Sequence, residues 1–447
     1  MTIGIFILGG MVNWAARSTS MVRFTEDREQ ILNIAEAGIE YYRWHLAHDA
    51  TDFQDGTGLP GPYVHDFFDK DGVRIGQYSL MITPPPTGST LVVIRSTGSL
   101  DAVPGSSRTI ETRLAKPSWA KFSVVANADI RFGEGTEVFG PIHSNGGIRF
   151  DGLIHNIITS AQTKYDDPDH GGGQEFGVHT HVSPTDPLPP AAAPSRTDVF
   201  EVGRQFGVPA VDFSGLSADL AQIKTDAQAD GLYYGPSGGQ GYLMVLKTND
   251  TLDVYRVNSL INTCAPSWSI GTSGGSKTLL GNVPFPSNGL VFVEDNLWVE
   301  GKINTARLTL AAATFPDNPA TRRNIAVNND LLYTNYDGQD VISLMAQKDF
   351  NIGLKSSDVL RVDAAIVAQY GRVGREYYGS GCGTGYKRST VTIYGMLASA
   401  LRYGFAYTDG TGFQIRDIIY DANLLYAPPP SFPLTTDNYQ VLSWDEI

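Results

Sequence analysis

The residue types best able to do chemistry crowd into one short stretch. Asp166, Asp167, Asp169, His170, His179 and His181 bring carboxylates and imidazoles together between positions 166 and 181. His179 and His181 are two residues apart, so in a strand both rings lie on one face, as a zinc site needs. The carboxylates could complete a zinc shell or, with further oxygens, a calcium shell. The competing expectation is a solvated loop. Pro168 and Gly171-Gly172-Gly173 are loop formers, and the His-x-x-x-His spacing of a helical site is missing. No cofactor is therefore expected, with calcium or zinc at this cluster as the alternative.

Other chemistry finds less support. The chain has no His-Glu-x-x-His, no P-loop, no strand-initiated dinucleotide fingerprint and no nucleophile elbow set between a strand and a helix pattern. A carboxylate pair on a β-helix can cleave polysaccharide, and Asp358 with Asp363 is one such pair to test. Asp-rich turns explain it equally, so the expectation is a protein that is not an enzyme. Asp69-Lys70-Asp71-Gly72 looks like the opening of a calcium loop, but the later ligands are absent and an Asp-Gly hairpin turn fits better. Cys264 and Cys382 are the only cysteines and both sit among Gly and Ser. They form either one disulfide of an exported protein or two separate thiols. The aromatic-rich tail (Tyr377, Tyr378, Tyr386, Tyr394, Tyr403, Phe405, Tyr407, Phe413) is either a glycan-binding face or strand packing.

The elements that must position these residues are mostly strands. At 447 residues the chain has room for two or three domains. Only 18% of residues are charged, while there are 48 Gly, 25 Pro and 21 Tyr, which favours a turn-rich β protein of extracellular type. The net charge of −14 and the lack of a Lys/Arg cluster exclude nucleic acid as a partner.

The N-terminus is different. Residues 1–16 carry no charge and contain Ile3, Ile5, Phe6, Ile7, Leu8 and Trp14, yet the first Arg stands at position 17. That is short of the roughly 20 apolar residues of a membrane span, and no secretory signal pattern is visible. Ile31, Ile34, Ala35, Gly38, Ile39, Tyr42 and Leu46 then follow the i, i+3, i+4, i+7 stripe of an amphipathic helix. With no proline before Pro60, one helix over 1–48 is expected, roughly 70 Å long at about 1.5 Å per residue.

Past a polar connection at 49–62, strands are expected at 77–83, 90–97 and 108–114, separated by turn signals such as Pro84-Pro85-Pro86 and Pro104-Gly105. From Trp119 the texture becomes short strands punctuated by glycine. Ile130-Arg131-Phe132-Gly133 is echoed by Ile148-Arg149-Phe150-Asp151-Gly152, an offset that suggests stacked β-solenoid rungs. Similar short strands return from Leu290 to Ile393. Between the two blocks, about 160–288 reads as an irregular insertion, with a Pro/Ala-rich segment at 184–194, a helix at 216–229 and strands at 242–245 and 252–257.

The segment Ala35-Glu36-Ala37-Gly38-Ile39-Glu40-Tyr41-Tyr42, behind a hydrophobic N-terminal helix, resembles minor type IV pilins and the pseudopilins of type II secretion. Two departures stand out: no basic leader with its Gly cleavage site precedes the helix, and Ile5 stands where mature pilins carry Glu. A shortened or misassigned start is the expectation that follows. Arg323 to Val327, Tyr333 to Gly338, Leu344 to Lys348, Arg361 to Gln369 and Tyr420 to Pro430 resemble uncharacterised bacterial surface proteins in which a pilin-like helix precedes a β-solenoid-like domain.

The resemblance implies a mainly β protein with a long N-terminal α-helix: the helix at 1–48, a small pilin-like α+β head with an antiparallel sheet at 49–118, and a right-handed β-helix (solenoid)-like domain at 119–447. It implies a non-enzymatic, membrane-anchored cell-surface protein, a minor or tip subunit of a type IV pilus-like or pseudopilus filament. Ile3, Ile5, Phe6, Ile7, Leu8, Trp14, Ile31, Ala35, Gly38, Ile39 and Tyr42 would serve membrane insertion and assembly. The expected partners are other pilin-like subunits, the inner membrane before assembly, and surface glycans or a host or neighbouring cell surface. Two alternatives stay open: a surface-anchored polysaccharide-active enzyme, and a membrane-anchored scaffold outside any filament.

Overall fold

The computed structural model describes the backbone of residues 2–86, 89–213, 216–436 and 438–447, and their side chains except those of 2–10, 12, 16 and 216–219. The protein is mainly β with one long N-terminal helix. It divides into two compact units: 1–86 with 90–117 and 436–447, and 118–435 with 87–89.

The first unit is a helix laid on a sheet. Helix α1 (Thr2–His48) runs without interruption, as expected from the absence of proline. Its apolar stripe meets a five-stranded antiparallel sheet of β1 (Tyr63–Phe68), β2 (Arg74–Thr83), β3 (Val92–Leu100), β4 (Ser107–Ala115) and the C-terminal strand Gln440–Glu446, in that order. Strand β3 alternates strictly, with Val92, Ile94, Ser96, Gly98 and Leu100 turned inward, which is the period of a sheet covered on one face. Ile31, Ile34, Ala35, Ile39, Tyr42 and Leu46 are all buried against Tyr78, Leu80, Val92, Ile94, Ile110 and Leu114. Each fully buried aliphatic side chain contributes roughly 1.5–3 kcal/mol.

Two glycines permit that approach. A Cβ on Gly38 would come within 2.3 Å of Ser96 Oγ and 2.8 Å of the Tyr78 ring, and one on Gly98 within 2.4 Å of the Ile31 carbonyl oxygen and 2.6 Å of the Ala35 amide nitrogen. Helix backbone therefore lies directly on sheet backbone. Beyond the helix, Asp52 organises the connection: its carboxylate accepts from the amides of Gln54 at 2.7 Å and Gly56 at 2.5 Å and contacts His45 Nε2 at 3.0 Å. The Tyr42 hydroxyl donates to the Asp52 carbonyl at 3.0 Å.

These observations revise the role expected of part of the helix. Ile31, Ala35, Gly38, Ile39 and Tyr42 are committed to the unit's own core and are not available as an assembly face. Trp14 is exposed, and the side chains of Ile3, Ile5, Phe6, Ile7 and Leu8 lie outside the described residues. Among the described residues no helix is long and apolar enough to cross a membrane. The small sheet also recruits 440–446, a strand the expected boundary at 118 excluded.

The second unit is built from short parallel strands. One ladder runs through Leu232–Tyr234, Leu290–Val293, Arg307–Ala312 and Val341–Ala346 into the ends of Val359–Ala368 and Lys387–Ser399. It then continues through Val124–Ala126, Ile142–Ser144, Ile158–Ser160 and Arg204–Phe206. Chain order is broken where Leu397 to Ser399 pair with Val124 to Ala126 and where Arg416 to Ile418 pair with Thr136 to Val138. The early strands thus extend the stack that the late strands end. Helix α2 (Leu216–Asp230) lies between the last strand of the early block and the first of the late block. It buries Leu220, Ile223 and Ala227 among Leu290, Phe292, Ala311 and Val341.

The echo in the sequence is a stacking register, with Ile130 opposite Ile148, Arg131 opposite Arg149 and Phe132 opposite Phe150. The Phe132 and Phe150 rings lie 4.8 Å apart. The segment at 160–288 is not a separate insertion. Its strands Arg204–Phe206, Leu232–Tyr234 and Gly241–Leu246 are members of the parallel ladders, while Thr251–Val257 and Lys277–Pro284 form an antiparallel extension and Lys164–Asp166 with Gln174–Phe176 a separate antiparallel hairpin. The strand expected at 242–245 is present, whereas Arg204–Phe206 and Leu232–Tyr234, at three residues each, are too short to carry a pattern of their own.

Candidate functional site

The cluster between 166 and 181 is assembled by a hairpin and a ladder. Strands Lys164–Asp166 and Gln174–Phe176 pair antiparallel, placing Tyr165 opposite Glu175, and the Gly-rich turn between them carries Asp167, Asp169 and His170. Val178–His179 then joins the ladder of the echoed strands, with His179 opposite Arg149. Along this column the outward position reads Arg131, Arg149, His179, so an imidazole takes the place of a guanidinium on the third strand.

His179 is fully buried and Asp167 nearly so. The Tyr165 hydroxyl lies 3.3 Å from His179 Nδ1, and His179 Nε2 faces Asp167 Oδ2 at 3.5 Å. His181 Nε2 is 3.7 Å from Glu175 Oε1, and His170 Nδ1 is 3.1 Å from the same oxygen. One liganding atom each from Asp167, His179 and His181 fall within 4.8 Å of one another, as do those of His170, Glu175 and His181. Asp167 Oδ2, His179 Nε2 and His181 Nε2 are buried and make no hydrogen bond.

Burial disfavours charge on His179 and His181. Burial pushes His179 down to about 4 against the pull of Asp167, and burial followed by the Arg149 charge lowers His181. His179 therefore carries no positive charge to pair with Asp167 at neutral pH. Arg149 stands 3.6 Å from Asp167 Oδ2, while its Nε donates to Asp151 Oδ2 at 2.7 Å.

Of the six residues expected here, Asp167, His170, His179 and His181 converge. Asp169 turns away to pair with Arg402 and, at 3.7 Å, Arg131, and the Arg402 guanidinium holds its carboxyl below the usual range. Asp166 is exposed. Glu175 was not anticipated; the signal for it was the Gly-rich turn, which folds the chain back and sets 175 beside 165.

The remaining candidates separate cleanly. Cys264 and Cys382 form a disulfide with Cα atoms 5.6 Å apart and 118 residues between them in sequence, a cross-link worth roughly 4–5 kcal/mol by loop-closure entropy. Asp363 is buried and saturated by the Tyr333 amide at 2.9 Å, the Tyr336 hydroxyl at 2.8 Å and Arg361 Nε at 2.7 Å. Asp358 accepts from the Ser389 amide at 3.2 Å. Five residues of extended chain put their Cα atoms about 16 Å apart, whereas a glycosidase pair holds its carboxyl groups roughly 5–9.5 Å apart. Ser237 and Ser273 each occur in Gly-x-Ser-x-Gly spacing, which sequence reasoning passed over. Their hydroxyls bond Asp295 Oδ2 and Ser276 Oγ, both at 2.7 Å, and neither makes a hydrogen bond to a histidine among the described residues.

In the aromatic tail, Tyr378, Tyr403, Phe405 and Phe413 are core residues, while Tyr377 is exposed. Asp69 Oδ1 accepts from the amides of Asp71 at 2.9 Å and Val73 at 2.8 Å, the bonding of the expected hairpin turn.

No protein-family model matches this sequence. No curated protein matches it either. Among solved structures the chain is similar to the competence-associated pilin ComZ from Thermus thermophilus, at 13% identity over 93% of this chain and 96% of that one, with a TM-score of 0.30. A superposition of that quality does not establish a shared fold.

Proposed function

We propose that this chain is a non-enzymatic, membrane-anchored cell-surface protein, a minor or tip subunit of a type IV pilus-like or pseudopilus filament. The observation that carries this reading is the division of α1. From residue 31 its stripe is consumed by the small sheet, whereas Met11, Trp14, Met21, Val22 and Phe24 are exposed on the same continuous helix. A helix that seats only its second half leaves an apolar first half for other helices. The Ala35–Tyr42 resemblance to pilins supports the same assignment. In this reading the first half meets the inner membrane and then neighbouring pilin-like subunits.

The large unit is read as a β-solenoid-like body whose parallel ladders present surface for adhesion or assembly, toward surface glycans or a neighbouring cell. Its size favours a minor or terminal position, since close helical packing limits the bulk each repeating subunit can carry. The disulfide fits export to an oxidising compartment. The test is deletion of residues 1–30. The full chain is expected in the filament fraction of expressing cells and the truncated chain outside it; filament association that survives the deletion sinks the reading.

A further inference from the structure

We propose that Asp167, His179 and His181 bind a divalent transition metal of the zinc class. Asp167 Oδ2, His179 Nε2 and His181 Nε2 are buried without a hydrogen bond, and their ligand atoms lie within 4.8 Å of one another. Burying such atoms unsatisfied costs roughly 1–3 kcal/mol each, a penalty a shared cation removes. The spacing has the right scale. Zinc–nitrogen and zinc–oxygen bonds of about 2.0–2.1 Å in a tetrahedron put neighbouring ligand atoms about 3.3 Å apart, and His179 Nε2 sits 3.5 Å from Asp167 Oδ2.

The rest of the pocket suits that metal. Tyr165 engages His179 Nδ1, fixing the ring so that Nε2 is the nitrogen left over, an outer contact of the kind that orients metal-bound histidines. Glu175 Oε1 lies 3.7 Å from His181 Nε2, a further carboxylate oxygen near the group. Two imidazoles with carboxylate favour zinc over calcium, which wants six to eight oxygens. Arg149 opposes a cation, but Asp151 takes its Nε at 2.7 Å and so offsets part of that charge. Bound metal would tie the hairpin at 164–176 to the ladder strand at 178–179, whether or not the chain enters a filament.

The experiment is titration of the EDTA-stripped full chain with Zn²⁺ by calorimetry and with Co²⁺ by visible absorption. One equivalent of each is expected, with intense tetrahedral cobalt bands. His181→Ala and Asp167→Asn should each weaken zinc at least about tenfold. His181 lies at the more open side of the cluster, so His181→Ala should keep the melting midpoint of the stripped protein even where a His179 variant fails to fold. Substoichiometric zinc, an octahedral cobalt spectrum, or unchanged affinity in folded His181→Ala overturns the proposal.

Discussion

The two halves of α1 share one backbone and have opposite surroundings. From Ile31 to Leu46 the inward positions are buried to the last few per cent, and glycines on both sides bring helix and sheet into backbone contact. From Met11 to Phe24 every described side chain is exposed, tryptophan, methionine and phenylalanine included. Helix propensity does not distinguish the halves. What differs is whether a sheet has been supplied, and the difference teaches that the second half answers to the folding of its own unit while the described part of the first half does not.

The strongest way to break this comparison is to push the seated half off its sheet. Gly98→Leu forces a side chain into the Ile31 carbonyl and the Ala35 backbone, contacts that cannot yield as a flexible side chain can. The small unit should lose more than about 3 kcal/mol, read as rapid proteolysis within 1–117 while the disulfide-linked unit resists. Survival of a native melting transition for that unit would show that helix and sheet are not in backbone contact.

A paired truncation sharpens the contrast. Ile34→Ala, at a fully buried position, should cost about 2–5 kcal/mol, whereas Phe24→Ala should move stability by less than about 0.5 kcal/mol. Denaturant midpoints of the two variants measure this directly. Similar values for both would erase the distinction between the halves.

The smallest effect concerns the end of the seated half. Backbone donors from Gln54 and Gly56, with His45, hold the Asp52 carboxyl below its ordinary value. A depressed carboxylate contributes stability above its unfolded pKa of about 3.9 and loses it as pH falls through the lower folded value. Amide protection factors at Gln54 and Gly56 should therefore be high at pH 6 and fall below about pH 4 before those of the rest of the unit. Protection that stays flat to the global acid transition would remove Asp52 from that role.

How much of this was legible in the sequence depended on the range of the interaction. The α1 stripe was readable residue by residue because a helix displays its buried face at a fixed period, and the sheet of the small unit announced itself through alternation and Pro-Gly turns. The echo at Ile130 and Ile148 gave away one pairing register, since the two parallel strands repeat side-chain types position by position. The pairing of 397–399 with 124–126 left no trace, because parallel partners hundreds of residues apart share no local pattern. Likewise His179 and His181 were visible as a pair and Asp167 as a neighbour, but Glu175 enters only through the hairpin fold, and the loss of Asp169 to Arg402 is a long-range ion pair that no spacing encodes.

The join between 397–399 and 124–126 has a consequence for how the protein is made. A chain emerging from its N-terminus finishes the strand Val124–Ala126 long before the partner that covers one of its edges exists, and an uncovered strand edge invites foreign pairing. The small sheet waits in the same way for Gln440–Glu446. Both units therefore depend on strands from beyond residue 396 to cover edges formed by strands made much earlier, and removing residues 397–447 leaves two open edges rather than one shortened domain.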